Sequence, residues 1–310
     1  MQRGSLLLPL SLLSACSTAG ALKYFAQTDA GSTTADATCD GTVSFVFLAR
    51  QGLPLERVWR KFLDGCRPGS YTVHIHSQQG GEAPLLPEAQ WVADPVMGEL
   101  RKNITMQQAM HKLYRDASRA TAPNGCQPRW AQMLSESCAP LRGCAEYQDF
   151  LTSHPGTSFL ESWPCTVGAR ADACYCRMIA GWKTTWYKAH QWSTLWMDHA
   201  RMLLANEDVE IKRWSHTRVP DEHFTINLLD AGGANHTAFG LTHVYPFMTG
   251  RKGHPGDIDC GNKTVQRGHV SFNQSVQDVV SAGRVFSRKF ENACVDSLLA
   301  NLPDPAAAKP

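Results

Sequence analysis

The run Val43-Ser44-Phe45-Val46-Phe47-Leu48-Ala49 constrains the fold more than any other part of the chain. It is almost continuously apolar and of strand length, the pattern of a strand buried on both faces. Leu55, Val58, Trp59, Phe62 and Leu63 follow at helical spacing, with Pro54 at the start, where a missing N–H costs nothing. Tyr71 to His76 then alternates as a second strand. Strand, helix and strand in this order form a βαβ unit. The chain is therefore predicted to be α/β, with a Rossmann-like, mostly parallel sheet and helices on both faces. Coarser signals continue the alternation. A helix is expected from Thr105-x-x-Gln108 through Leu113, a strand at Trp130–Leu134, a helix at Arg142–Leu151 and a strand around Phe159 and Leu160. Helices are expected at Leu195–Leu204 and Asp221–Leu229, a strand at Val285–Ser287 and a closing helix at Asn292–Leu299.

With 310 residues and 43% apolar side chains, the chain can bury a sizeable core. Its 30 Lys and Arg against 28 Asp and Glu exclude a protein that grips nucleic acid through bulk charge. Of eleven cysteines, Cys16 lies in the leading apolar stretch. The other ten are scattered without a metal-type Cys-x-x-Cys, which suits disulfides in an oxidising compartment. Their pairing is left open, although Cys174 and Cys176 are too close to bridge each other easily. Arg3, the apolar run Leu6–Leu13 and the small residues Ala19-Gly20-Ala21 have the order of a secretory signal peptide. Residues 1–22 are thus a signal peptide or a short signal-anchor, which would tether the chain to a membrane. Residues 23–40 read as a flexible stalk, 41–300 as one domain and 301–310 as a disordered tail. Four glycosylation sequons begin at Asn103, Asn235, Asn262 and Asn273.

No Ser-nucleophile elbow, Walker loop, zinc-protease helix or glycine dinucleotide fingerprint is present. The chemical case rests on polar clusters near strand ends, where an open parallel sheet holds its ligand. Ala49-Arg50-Gln51-Gly52 follows the first strand, and Ser135-Glu136-Ser137-Cys138 follows a later one. The stretch Trp182–Trp192 carries four aromatics with Lys183, Lys188 and His190, and reads equally as an acceptor-sugar platform or as an amphipathic segment on the core. Pro220-Asp221-Glu222-His223 places carboxylates at a helix start, where the dipole favours the ionised form a general base requires. Arg251-Lys252 and Arg288-Lys289 offer cations for a diphosphate leaving group. His74 and His76 share a strand face without a nearby carboxylate, so a metal pair is discounted.

Taken in order, these segments resemble the core-2/I-branching β-1,6-N-acetylglucosaminyltransferase family (glycosyltransferase family 14), in its plant/algal-type branch. The resemblance is carried by Val43–Leu55, Tyr71–Ser77, Leu134–Leu141, Trp186-Tyr187-Lys188-Ala189-His190-Gln191-Trp192, Pro220–His223, Gly253-His254-Pro255 and Ser287-Arg288-Lys289-Phe290. It implies a GT-A-type nucleotide-diphospho-sugar fold. It also implies an inverting, metal-independent transfer from a UDP-sugar to a glycan or glycoprotein acceptor, with GlcNAc the expected sugar and no cofactor. The family's catalytic base falls on Glu222. Diphosphate-binding cations fall on Lys289, with Arg288 beside it, and on Arg251 as the nearest candidate for a second basic group. Nucleotide contacts fall on Phe47, Leu48, Ala49 and His76, and acceptor contacts on Glu161 and Trp192. Residence in the Golgi lumen as a type II membrane protein is implied, or else secretion.

The sequence departs from the family in two places, and a third stretch is an incidental imitation. His76 stands where mammalian-type members carry an aspartate, residues 78–130 match weakly, and Asp257-Ile258-Asp259 imitates a metal motif far from the strand ends. The competing reading is a catalytically inactive, secreted carbohydrate-binding protein on the same fold.

Overall fold

The structure is a computed structural model, and it describes residues 39–80, 86, 88–97, 104–165, 179, 182, 184–217, 219–244 and 272–305. The expected leader, Asn103, Arg251, the Asp257–Asp259 stretch and Asn262 lie outside the described residues.

Strand β1 (Val43–Ala49) is buried along its whole length, as its unbroken apolar run requires. It lies between two parallel neighbours, β2 (Tyr71–Ser77) and β4 (Trp130–Ser135), with Val43 level with Tyr71 on one side and Trp130 on the other. The largest sheet among the described residues has seven strands in the order β10-β6-β9-β4-β1-β2-β3. Here β3 is Ala89–Trp91, β6 Ser158–Phe159, β9 Thr194–Trp196 and β10 His236–Thr237. Strand β9 runs antiparallel to both β4 and β6, while the remaining pairs are parallel. The predicted mixed α/β architecture, with a mostly parallel central sheet flanked by helices, is the one observed.

Helix α1 (Glu56–Asp64) buries Val58, Trp59, Phe62 and Leu63, the stripe read from the sequence. Trp59 meets Phe47 edge-on at 4.9 Å, and Phe45, Phe62, Tyr147 and Phe286 complete an aromatic cluster. Such a cluster dominates the energetics of a core this size. Helix α2 (Ile104–Arg119) packs against β1 and β2 and is longer than predicted. Its apolar stripe continues through Leu113, Tyr114 and Ala117, and Thr105 lies inside the helix rather than capping it.

Helix α3 spans Cys144–Thr152, whereas three other local expectations are revised. The segment predicted as a helix from Leu195 begins as β9, because Thr194, Leu195 and Trp196 pair with Gln132, Ala131 and Trp130; the helix α4 starts at Met197 and ends at Ala205. The helix predicted at Asp221–Leu229 splits into a 3-10 turn at Pro220–Glu222 and helix α5 (Phe224–Ala231). The closing helix likewise opens with a 3-10 turn, Asn292–Cys294, before α6 (Val295–Asn301). Beyond it Leu302 is buried, and its carbonyl accepts a 2.9 Å hydrogen bond from Lys61 Nζ, so the chain stays packed past residue 300.

Cys39–Cys126 and Cys66–Cys144 are disulfides, and Cys165 and Cys294 are also disulfide-bonded. Cys138 corrects the expectation that all ten cysteines pair: it is a free, buried thiol. Its sulfur sits in a tight turn, taking the Ser135 N–H at 3.2 Å, and it behaves as a small core side chain. Among the described residues no helix is long and apolar enough to cross a membrane.

Candidate active site

The sheet grows from β1 toward β2 and β3 on one side and toward β4 on the other, so the order reverses between β1 and β4. The carboxyl ends of these two strands define the crevice in which open α/β sheets bind ligands. Several polar loops are stitched together there. The Arg50 N–H donates to the Glu136 carboxylate, and the Ser77 hydroxyl donates to the carbonyls of Arg50 at 3.1 Å and Gln51 at 3.0 Å. Across the crevice, the Phe290 N–H donates to the Ser137 carbonyl at 2.9 Å. That bond, together with strand β12 (Phe286–Ser287) pairing with β5 (Ala139–Pro140), carries Arg288 and Lys289 to the end of β4. The Arg288 guanidinium lies over the Trp192 ring at 4.1 Å, while Lys289 is exposed.

Glu222 is brought in by the 3-10 turn. Val219 enters that turn at φ 55° and ψ 57°, a left-handed conformation that is costly for a β-branched residue. The Glu222 side chain, 27% exposed, meets Lys188 Nζ at 2.9 Å, and Lys188 itself is 14% exposed. Lys188 is the middle residue of β8 (Tyr187–Ala189), which pairs antiparallel with β7 (Ser162–Pro164). This register sets Lys188 opposite Trp163, over whose ring its ammonium lies at 5.8 Å. Just beyond the pairing, the His190 N–H donates to the Glu161 carbonyl at 2.9 Å, and the His190 and Trp163 rings meet at 5.3 Å.

The Glu161 carboxylate is held by Arg284, which also donates to the Gly240 carbonyl and lies over Phe239 at 4.0 Å. Gly240 is required here, since a Cβ at this position would stand 2.6 Å from the Glu161 nitrogen. Each of the two carboxylates therefore has its own cation. His190 lies within electrostatic reach of both: burial pushes its pKa down, while Glu222 and Glu161 oppose that shift. Asp221 is 7% exposed with Oδ1 lacking a hydrogen-bond partner. Burial, reinforced by the charge of Glu222, pushes its carboxyl up to about 7.

The structure thus gathers Glu222, Glu161 and Arg288, with Lys289 next to it, around Lys188 and His190 of the 182–192 stretch, and adds Trp163 and Arg284. Leu48 and Ala49 stand at the crevice end of β1. Three of the residues expected to make contacts have largely buried side chains. The Phe47 ring is wholly buried against Trp59, so it anchors β1 rather than facing a nucleotide. His76 is fully buried, its Nε2 accepting the Val96 N–H at 2.8 Å. Trp192 is 7% exposed beneath Arg288, so its ring supports a cation rather than offering a face to a sugar. The stretch 182–192 accordingly divides by residue type. Trp186 stacks on Trp214 in the core, and Lys188 and His190 line the site. Trp163 carried no sequence signal of its own, because its importance arises from the register with Lys188. Asn235 and Asn273 are both exposed.

Residues 43–244 match the model of the Core-2/I-Branching enzyme family. The chain belongs to the core-2/I-branching enzyme family. Glu161, Lys188, His190 and Glu222 fall within the matched region, whereas Arg284, Arg288 and Lys289 lie beyond it and reach the crevice through the fold. The chain is 24% identical over 231 residues to Glycosyltransferase BC10 of Oryza sativa subsp. japonica, a match that covers 65% of this chain and 56% of that protein. This core-2/I-branching chain therefore aligns with little more than half the length of that relative.

Proposed function

We propose that this chain is an inverting glycosyltransferase that moves a sugar, GlcNAc in the first instance, from a UDP-sugar to a glycan or glycoprotein acceptor. The observation that carries the reading is the Glu222–Lys188 ion pair, which lies together with Arg288 within electrostatic reach of His190. Membership of the family and the similarity to a rice glycosyltransferase support it. In the proposed reaction the acceptor hydroxyl oxygen attacks the donor's C1 on the face opposite the diphosphate. The C1–O bond to the diphosphate breaks, and its electron pair leaves with UDP. The hydroxyl proton passes to the Glu222 carboxylate. Arg288 and Lys289 neutralise the charge that grows on the departing phosphate, the role that a divalent cation fills in other designs. The disulfides fit an oxidising compartment, so we place the reaction in the lumen of the secretory pathway.

The test is UDP release from UDP-GlcNAc, UDP-Gal, UDP-Xyl and UDP-GlcA, each measured with and without excess EDTA. Turnover of one donor that persists in EDTA is the expected result. Complete loss restored by manganese would overturn the metal-free scheme. Sugar binding without turnover of any donor would favour the inactive carbohydrate-binding protein.

A further inference from the structure

We propose that Lys188 is a positioning residue for Glu222, holding one carboxylate oxygen so that the other faces the acceptor hydroxyl. This rests on the reading of Glu222 as the general base. The Lys188 ammonium contacts Oε2 of Glu222 at 2.9 Å, so that oxygen is occupied and the side chain is confined to a narrow range of rotamers. The lysine is itself confined. Its stem leaves the centre of β8, the strand register places Trp163 directly opposite, and the ammonium lies 5.8 Å from the centroid of that ring.

The two elements that bear the pair are also locked to one another. The Tyr187 N–H donates to Asn227 Oδ1 at 2.9 Å, and Asn227 Nδ2 donates to the Tyr187 carbonyl at 2.8 Å. His223 Nδ1 meets the same carbonyl at 2.8 Å. Asn227 lies on α5 and His223 immediately follows Glu222, so the strand carrying the cation and the turn carrying the carboxylate are joined through Tyr187, the residue next to Lys188. An ammonium whose sole task was surface charge would need none of this support. A general base gains most from it, because a misplacement of about 1 Å can cost on the order of 10²-fold in rate.

The experiment is a double-mutant cycle with Lys188→Met and Glu222→Gln, singly and together, alongside Lys188→Arg and Lys188→Gln. Each variant is assayed for turnover of whichever of the four UDP-sugars the wild type uses fastest, for UDP affinity by calorimetry, and for melting temperature. Lys188→Met is expected to lower kcat by on the order of 10²-fold with UDP affinity unchanged. Lys188→Arg should recover most of that loss. In the Glu222→Gln background, Lys188→Met should cost less than about twofold further, because the group it positions is already disabled.

Multiplying losses in the double variant would overturn the inference while leaving Glu222 as the base. A fall in UDP affinity for Lys188→Met would also overturn it, by making the lysine a donor contact. Near-wild-type turnover of Glu222→Gln, or turnover of none of the four donors, would instead overturn the underlying reading and this inference with it. If Lys188→Met melts below the assay temperature, Lys188→Gln carries the same comparison, since it stays polar and loses the charge.

Discussion

At the scale of single residues, Asp221 and Glu222 are neighbours with opposite circumstances. Glu222 reaches the crevice and finds a cation, while Asp221 is driven into the protein beside it. The Pro-Asp-Glu motif made the helix-start carboxylates legible in the sequence, but nothing local distinguished which of them would be buried. If Glu222 is the base, Glu222→Gln should lower turnover by about 10²–10⁴ and leave UDP binding intact. Lys289→Ala should weaken UDP binding as well as slow transfer, since its charge is proposed to act before and during bond cleavage. Calorimetry and steady-state rates on both variants check this contrast.

Asp221 gives a stability prediction with a definite sign. Its carboxyl holds a proton more tightly in the folded chain, at about 7, than in the unfolded one, at about 3.9. Folding stability attributable to this group is therefore complete below about pH 4, falls as pH rises toward 7, and changes no further above that. The full penalty is on the order of 4 kcal/mol. Asp221→Asn should accordingly match wild type near pH 4 and exceed it at pH 8, as read from urea unfolding at the two pH values.

At the scale of elements, β1, α1 and β2 were legible because each runs long enough to display its period. Seven nearly continuous apolar residues leave little alternative to a buried strand. The β7–β8 hairpin, with three residues to a strand, has no period to read, and its meaning lies in which residues face each other. That is why Trp163 carried no signal, and why the burial of Trp192, aromatic and close to the right motif, was not legible. The connection from β10 to β11 (Thr242–His243) shows the same dependence on packing. Its Gly240 passes so near the Glu161 backbone that Gly240→Ala must push the two segments apart. This substitution should cost about 1–3 kcal/mol of stability and raise the KM for acceptor more than that for donor, as melting curves and two-substrate kinetics would register.

At the scale of the whole molecule, both disulfides with known partners gather at the end of the sheet opposite the crevice. Cys39 and Cys126 precede β1 and β4, while Cys66 lies between α1 and β2 and pairs with Cys144 at the start of helix Cys144–Thr152. They span 87 and 78 residues of chain, and removing either should cost about 2–5 kcal/mol. Replacing Cys39 and Cys126 by Ser should therefore lower the melting temperature markedly while UDP affinity, measured well below it, changes little. Alkylation followed by mass spectrometry should label Cys138 only after denaturant is added. The crevice lies at the carboxyl ends of β1 and β4, and its charged side chains come from two- and three-residue strands and the turns and loops around them. Such a division makes the scaffold reusable. The hairpin and the turns around Glu161 and Glu222 can be exchanged like interchangeable tooling to suit another acceptor, while the same cross-linked base goes on folding unchanged.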